Sequence, residues 1–310
     1  MKQPTHRPWL RGVLKCLGAD AVLLDVPMSA HCTVRAGGEA AALCKPRSTQ
    51  ALLSLLRFLR EEGVPFFVLG KGANLLVGDK GYDGVALSLA DMPAEEEAHL
   101  LEDGGALTLS AGQSISRLLA LALSKGLVGA EFLSGVPGTL GGACAMNAGT
   151  KEGECMSLVS AVELATPEGA GWVEAAQLPY GYRYTQLPSG SVVLKLRFAL
   201  PKGDVALSKE KMREDLERRK HTQPLEWPSF GSVFKNPKGA HAGQLIESAG
   251  LKGARCGGAQ ISTRHANWIV NLGTATARDI VRLMAMATLR VEAQHGIWLE
   301  PEVQRVGSFE

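Results

Sequence analysis

The sequence predicts an α+β fold of roughly two or three domains, and three observations carry that expectation. Between Ala41 and Leu89 a strand, a helix and a second strand follow one another, with a glycine loop at the carboxyl end of the second strand. An alternating strand, LTLSAG from Leu107, then runs into an amphipathic helix opened by Ser114. In the last third, helical patterns dominate on either side of the proline- and glycine-punctuated stretch GSVFKNP, Gly231 to Pro237. Apolar spacing of three and four residues marks the helices, and short apolar or alternating runs mark the strands.

Composition narrows the class. The chain has 310 residues, 45% of them hydrophobic, which suffices for sizeable cores, and its 36 glycines point to several backbone-driven loops. A net charge of +2 gives no clustered basic footprint, so nucleic acid is not expected as a partner. Six cysteines, at 16, 32, 44, 144, 155 and 256, form no CxxC pair. Scattered thiols fit a reducing cytoplasm better than a disulfide framework or a zinc site, and no metal is expected. The apolar run VLKCLGADAVLLDV is interrupted by Lys15, Asp20 and Asp25, so neither a signal peptide nor a membrane span is expected.

In chain order, the glycine-rich crossing HCTVRAGG (His31 to Gly38) leads into the strand AALCK (Ala41 to Lys45). Leu52, Leu53, Leu55, Leu56 and Leu59 form a helical stripe between Ser48 and Arg60, with Ser48 or Thr49 as its cap. VPFFVL (Val64 to Leu69) then runs into GKGANLLVGD before the strand GVALSL (Gly84 to Leu89). The loop Gly70 to Asn74 is neither the G-x-G-x-x-G turn nor a P-loop. Two readings remain open: a nest of backbone N–H groups suited to a pyrophosphate, or a tight turn joining two strands.

After the helix with Ile115, Leu118, Leu119, Ala122 and Leu123 comes EFLSGVPGTLGGACAMNAG, Glu131 to Gly149. Its segment Gly135 to Gly142 holds four glycines and one proline, so little of it is expected to be regular helix or central strand. A loop so poor in side chains suits close approach to a flat ligand. Two such loops in one region favour a large cofactor over two unrelated turns.

The last third begins with the basic helix MREDLERRK. In GSVFKNP a hydroxyl, an ammonium and an amide share one short loop, with Ser232 expected at the end of an extended piece and Lys235 and Asn236 beside it. Local pattern alone reads this as a turn whose Ser and Asn bond their own backbone; a small anionic ligand is the alternative. AGQLIESAGLKG (Ala242 to Gly253) has the spacing of a short helix ended by glycine, and Thr276 opens a helix to about Gln294. Ile280, Leu283, Met284 and Met286 are expected in its core face. His265 reads as a hydrogen-bonded structural histidine rather than a base. Arg183, between tyrosines, reads locally as a surface arginine stacked on rings, and Glu302 as an exposed carboxylate at a strand edge.

Taken together, GKGANLLV, LSGVPGTLGGACAMNAG, PYGYRYT, PSFGSVFKNP, AGQLIESAGLKG, HANWIVNLG and LEPEV resemble the UDP-N-acetylenolpyruvoylglucosamine reductase (MurB) family, in its order, over nearly all of the chain after about residue 30. The short connection between GYRYT and SVVLKLRF is similar to the family's second, shorter type. The resemblance implies noncovalent FAD in two α/β subdomains of a vanillyl-alcohol-oxidase-like (PCMH-type) fold, followed by a C-terminal α+β substrate domain. The corresponding divisions are an amino-terminal segment 1–30, FAD-binding subdomains 31–95 and 96–203, and a substrate domain 204–310. Gly70, Gly72, Ala73, Asn74 and Leu75 would line the pyrophosphate, and Pro137, Gly138, Thr139, Gly141 and Gly142 the rest of the cofactor. Ala73 stands where the family usually has serine, which removes a hydroxyl contact of roughly 1 kcal/mol. MNAGTKEGE also departs from the commoner MNAGAYGGE.

For chemistry, the resemblance implies reduction of the enolpyruvyl ether of UDP-N-acetylglucosamine to UDP-N-acetylmuramate for peptidoglycan, an activity of a UDP-N-acetylmuramate dehydrogenase. NADPH is the co-substrate, and its hydride reaches the vinyl CH2 carbon by way of the flavin. Negative charge building on the neighbouring carbon and its carboxylate calls for an electrophile and a proton donor. Arg183 matches the family arginine at the carboxylate, Ser232 the serine that protonates the carbon, and Glu302 the glutamate that completes the site. Tyr182, Lys220, Lys235 and Asn236 are candidates for the sugar and diphosphate, although Lys220 reads equally well as a solvated helix end. A cytoplasmic monomer is expected. Two other classes stay open: a flavin oxidase on the related fold, and a noncatalytic nucleotide-sugar binder.

Overall fold

The structure, a computed structural model, describes residues 7–309; residues 1–6 of the expected amino-terminal segment lie outside the described residues. The chain divides into two compact units that interleave along the sequence. One comprises residues up to 25, 41–70 and 84–209, and the other residues 26–40, 71–83 and 210–310.

In the first unit the helices are α1 (Leu10–Leu17), α2 (Thr49–Glu61), α3 (Ile115–Ser124) and α4 (Leu140–Ala145). Ser48 caps α2, its hydroxyl accepting from Ala51 N–H, and Ser114 caps α3 in the same way through Arg117 N–H. The leucine stripe of α2 is buried throughout. A four-stranded sheet, in the order Val22–Pro27, Glu39–Cys44, Tyr82–Ser88, Phe66–Leu69, gives this unit residues 22–25, 41–44, 84–88 and 66–69. Phe66–Leu69 runs parallel to Val85–Ser88, so the chain between them crosses over and leaves Gly70 at a strand's carboxyl end.

A second sheet is antiparallel throughout, in the order Gly169–Glu174, Val159–Thr166, Val192–Pro201, Gly104–Ser110, Glu96–Leu100. Its longest strand, Val192–Pro201, alternates buried and exposed residues along its second half, as expected when one face meets the core. Phe198, Leu107 and Leu109 fill that face and are fully buried. Residues 186–191 join the hairpin Tyr180–Thr185 to this strand, the short connection noted in the sequence.

The helix α5 (Val205–Thr222) begins in the first unit, and most of it belongs to the second. There α6 (Ala242–Ser248) and α7 (Ala277–His295) accompany a three-stranded antiparallel sheet of Arg255–Cys256, Ala259–Ile261 and Ile269–Asn271. Gln304–Val306 pairs in parallel with Leu75–Val77. Thr276 and Asp279 form a capping box at the start of α7, and Gly296, at φ +66°, ends it. From a distant loop, the Asp79 carboxylate accepts from the N–H groups of Ala277 and Arg278, both at 2.8 Å.

Three expectations are corrected. Met286 is 38% exposed, whereas Ile280, Leu283, Met284, Ala287 and Val291 are buried; two residues beyond Met284, position 286 has turned about 200° to the opposite side of the helix. The end of the segment Gly135 to Gly142 is helical, because α4 starts at Leu140. Thr139 caps that helix, and Gly141 lets it approach so closely that a Cβ there would lie 3.1 Å from Ala111 Cβ. No strand leads into Ser232: pairing starts at Phe234, bridged to Pro301, because Pro228 and Gly231 break the preceding backbone.

Among the described residues no helix is long and apolar enough to cross a membrane, and no cluster of His, Cys, Asp and Glu could hold a metal. All six cysteines are free. Burial pushes the thiols of Cys32, Cys44 and Cys144 up to about 12, which leaves them inert as nucleophiles.

The capping box of α7 sets a first test. Replacing Thr276 by Ala removes a side-chain acceptor from an N–H group of the first turn and should lower the free energy of unfolding by about 1 kcal/mol. Urea titration followed by circular dichroism checks this; an unchanged midpoint would show that the cap contributes nothing.

Candidate active site

Gly70 lies at the end of its strand, and a Cβ there would come within 2.7 Å of Thr139 Oγ1, so glycine allows the two glycine segments of the first unit to touch. Around Thr139 the loop is stitched to the residues before α3. Ile115 N–H donates to Gly138 O at 3.4 Å, Leu140 N–H to Gln113 O at 2.8 Å and Gly141 N–H to Ala111 O at 2.9 Å. Gly138, at φ +149°, adopts a conformation closed to most side chains, and the position its Cβ would take is open except for Ile115. The loop therefore presents bare backbone. Its helix-opening amides are already engaged by protein carbonyls, so Gly138 and the peptide planes near it are what remain for a ligand.

Arg183 also belongs to the first unit. It sits at φ +63° in the hairpin Tyr180–Thr185, donates to Gly149 O at 2.9 Å and lies 5.0 Å over the Tyr182 ring. Tyr182 itself is exposed. The hairpin is held from beneath by Asn147, which is fully buried: its Nδ2 donates to Gly181 O at 2.9 Å and its Oδ1 accepts from Met156 N–H at 3.0 Å. Thr185 Oγ1 donates to Cys144 O at 2.6 Å, the second anchor. Sequence reasoning did not single out Asn147; its signal was an amide inside the apolar stretch ACAMNAG. The unusual residues of MNAGTKEGE fall at the tip of the hairpin Gly149–Glu154, where Lys151 and Glu152 are exposed.

The remaining candidates lie in the second unit. Gly72, at φ +61°, packs so tightly on the His31 carbonyl that a Cβ would overlap it. Among the described residues, the N–H groups of Lys71, Gly72, Ala73 and Asn74 donate to no protein acceptor. Consecutive unspent donors next to an αL glycine form a nest for an anion, which fits the diphosphate of a dinucleotide cofactor and does not need the hydroxyl that Ala73 lacks. The side chain of Asn74 is occupied otherwise, donating from Nδ2 to Glu302 O at 3.0 Å, while Asn74 O accepts from Gln304 N–H at 2.9 Å. Leu75 is buried in the strand that follows.

Those bonds tie Asn74 to Glu302, and further ones tie Glu302 to the segment that follows Ser232. Glu302 N–H donates to Val233 O at 2.8 Å, and Lys235 N–H donates to Glu300 O at 2.9 Å. Ser232 is half-buried, and among the described residues its hydroxyl bonds no protein group. Lys235 Nζ pairs with Glu300 at 2.5 Å. Asn236 Oδ1 accepts from Ala242 N–H at 3.0 Å, which caps α6 from outside. Asn74, Ser232, Lys235, Asn236 and Glu302 thus share one bonded neighbourhood. Lys220 does not join it: its ammonium pairs at 2.6 Å with Glu217, one turn earlier on α5.

Comparisons with known proteins bear on this arrangement. Residues 40–172 match the family described as FAD binding domain, and residues 223–306 match UDP-N-acetylenolpyruvoylglucosamine reductase, C-terminal domain. The chain is 54% identical over 296 residues to the UDP-N-acetylenolpyruvoylglucosamine reductase of Myxococcus xanthus, covering 96% of each chain. It is 40% identical to that of Moorella thermoacetica, covering 91% of this chain and 92% of the relative. Among solved structures, the UDP-N-acetylenolpyruvylglucosamine reductase (MurB) from Thermus caldophilus superposes with a TM-score of 0.77 at 34% identity, covering 92% of this chain and 98% of that one. The expected α+β fold therefore holds, with an FAD-binding portion followed by a C-terminal domain.

His265 is the structural histidine expected, and it sets a pH test. Burial lowers its pKa below the ordinary value, with Lys252 lowering it further and Glu247 opposing. Its Nδ1 accepts from Asn267 N–H at 3.2 Å, a bond that needs the neutral ring. The unfolded chain binds this proton more readily, so the contribution is complete above about pH 6.5 and is lost as pH falls through the window below it. The difference in Tm between the wild type and His265→Gln should therefore shift against the wild type between pH 7.5 and 5.5. A difference independent of pH would show that folding does not change the proton affinity of His265.

Proposed function

The chain belongs to the UDP-N-acetylenolpyruvoylglucosamine reductase family, and from that premise we propose that it reduces the enolpyruvyl ether of UDP-N-acetylglucosamine to UDP-N-acetylmuramate, using NADPH, in the supply of peptidoglycan precursors. It is a flavoprotein oxidoreductase. The observation that carries the catalytic assignment is the 2.8 Å bond from Glu302 N–H to Val233 O, which ties the backbone of the carboxyl-bearing residue to the residue after Ser232, whose hydroxyl bonds no protein group among the described residues.

Bound FAD would supply the hydride, received from NADPH, that adds to the vinyl CH2 carbon; the residues of the chain do the rest. Arg183 receives the substrate carboxylate with a planar guanidinium whose fixed donors match two oxygens, and its anchored hairpin reduces the freedom lost on binding. As charge develops on the carbon next to the carboxylate, Ser232 delivers a proton there. A serine is a weak acid, but the developing enolate is a strong enough base to take its proton. Glu302, held at the other end of the same backbone bond, partners the carboxylate in a neutral or proton-sharing form.

Lys235, Asn236 and Tyr182 serve the diphosphate and sugar, with Lys235 exchanging its Glu300 partner for phosphate. Lys220, solvent-exposed at the end of α5, serves long-range attraction of the doubly negative diphosphate. Unspent amides at 71–74 and the bare backbone at Gly138 hold the cofactor without a covalent tether. Residues 31–95 and 96–203 are assigned to the cofactor and 204–310 to the substrate. The six free thiols fit a cytoplasmic setting.

Anaerobic mixing with NADPH should bleach the flavin absorbance, and the enolpyruvyl substrate should restore it. Ser232→Ala should keep the bleaching and slow the recovery by about 10²-fold or more. Undiminished recovery would remove Ser232 from the chemistry, and bleaching without any recovery in the wild type would point to a different oxidised substrate.

A further inference from the structure

Ser232 has no rigid element of its own. It follows Gly231, at φ +82°, in an irregular loop, so something outside the loop must fix its direction. The peptide units after it are gripped by a single side chain and its own backbone. Val233 N–H donates to Asn267 O at 2.9 Å, Phe234 N–H donates to Asn267 Oδ1 at 3.0 Å, and Asn267 Nδ2 donates to Phe234 O at 2.8 Å. Asn267 is 4% exposed, so these bonds are shielded from water, and the paired amide and peptide bonds allow one orientation only. The same Val233 whose N–H is held in this way offers its carbonyl to Glu302 N–H. Asn267 is itself oriented by His265 Nδ1.

We propose that Asn267 is a positioning residue for proton delivery: it sets the separation and direction of the Ser232 hydroxyl relative to Glu302 without touching substrate. The inference rests on the role given to Ser232 above. In Asn267→Asp the side chain keeps its shape but turns an oxygen toward Phe234 O, where a donor stood, so the grip on the loop opens. Misplacement of an acid by a fraction of an ångström to an ångström slows transfer by about ten- to a hundred-fold.

The test uses the flavin-loaded protein in both half-reactions. In Asn267→Asp, flavin content and the rate of bleaching by NADPH should stay within about twofold of wild type. Recovery with the enolpyruvyl substrate should slow at least about ten-fold with an unchanged half-saturating concentration, and its slowing in D2O should become larger. Should Asn267→Asp fail to fold, Asn267→Ser, uncharged and smaller, is read in the same way.

Ser232→Ala, run alongside, separates the failures. If it stops recovery while the Asn267 variants recover normally, only the positioning role falls. If it recovers normally, the assignment of Ser232 falls and this inference falls with it. Equal losses in both half-reactions, or loss of fold in both Asn267 variants, would assign Asn267 to stability alone and overturn the proposal.

Discussion

One backbone hydrogen bond, from Glu302 N–H to Val233 O, is the constraint on which the chemistry proposed for the second unit depends. A hydroxyl and a carboxyl separated by seventy positions of chain hold a fixed relation only if the main chain between them is not free to slide. The bond does this at small energetic expense, since it replaces two hydrations by one contact and one water-to-water bond. Its value is geometric, and the neighbouring bonds from Lys235 N–H, Asn74 Nδ2 and Gln304 N–H turn one fixed point into a fixed frame.

Glycine serves opposite ends in the two glycine-rich segments. At Gly72 both space and backbone sign exclude a side chain, and the following amides are left without acceptors. At Gly141 the amide is consumed by Ala111 O and the missing side chain serves close packing. Residue type alone cannot distinguish these uses. The distinction comes from where the N–H groups go, which makes the accounting of main-chain donors the informative observation at such loops.

Local structure was legible where the signal is local. Ser48, Ser114 and Thr276 each precede an apolar three-and-four spacing, and each caps the helix that follows. Arg183 and Glu302 are not legible in this way: their local patterns read as a surface arginine and a strand-edge carboxylate, and only the family resemblance joins them to Ser232. Their support is not legible either. Asn147 reaches Gly181 and Asn267 reaches Phe234 across more than thirty residues, and an asparagine in an apolar run announces no partner at such distance. The interleaving of the two units was equally hidden, since each passage is made by an ordinary strand or helix that carries no linker composition.

Asp79 lies in the turn beyond the short strand Leu75–Val77 that follows Gly72, and it spends both carboxylate oxygens on the first turn of α7. That turn cannot leave its position without stripping two amides of a nineteen-residue helix of their acceptors. An anion that orders residues 71–74 acts on the same stretch of chain, through the strand Leu75–Val77, so its binding should slow hydrogen exchange at Ala277 and Arg278.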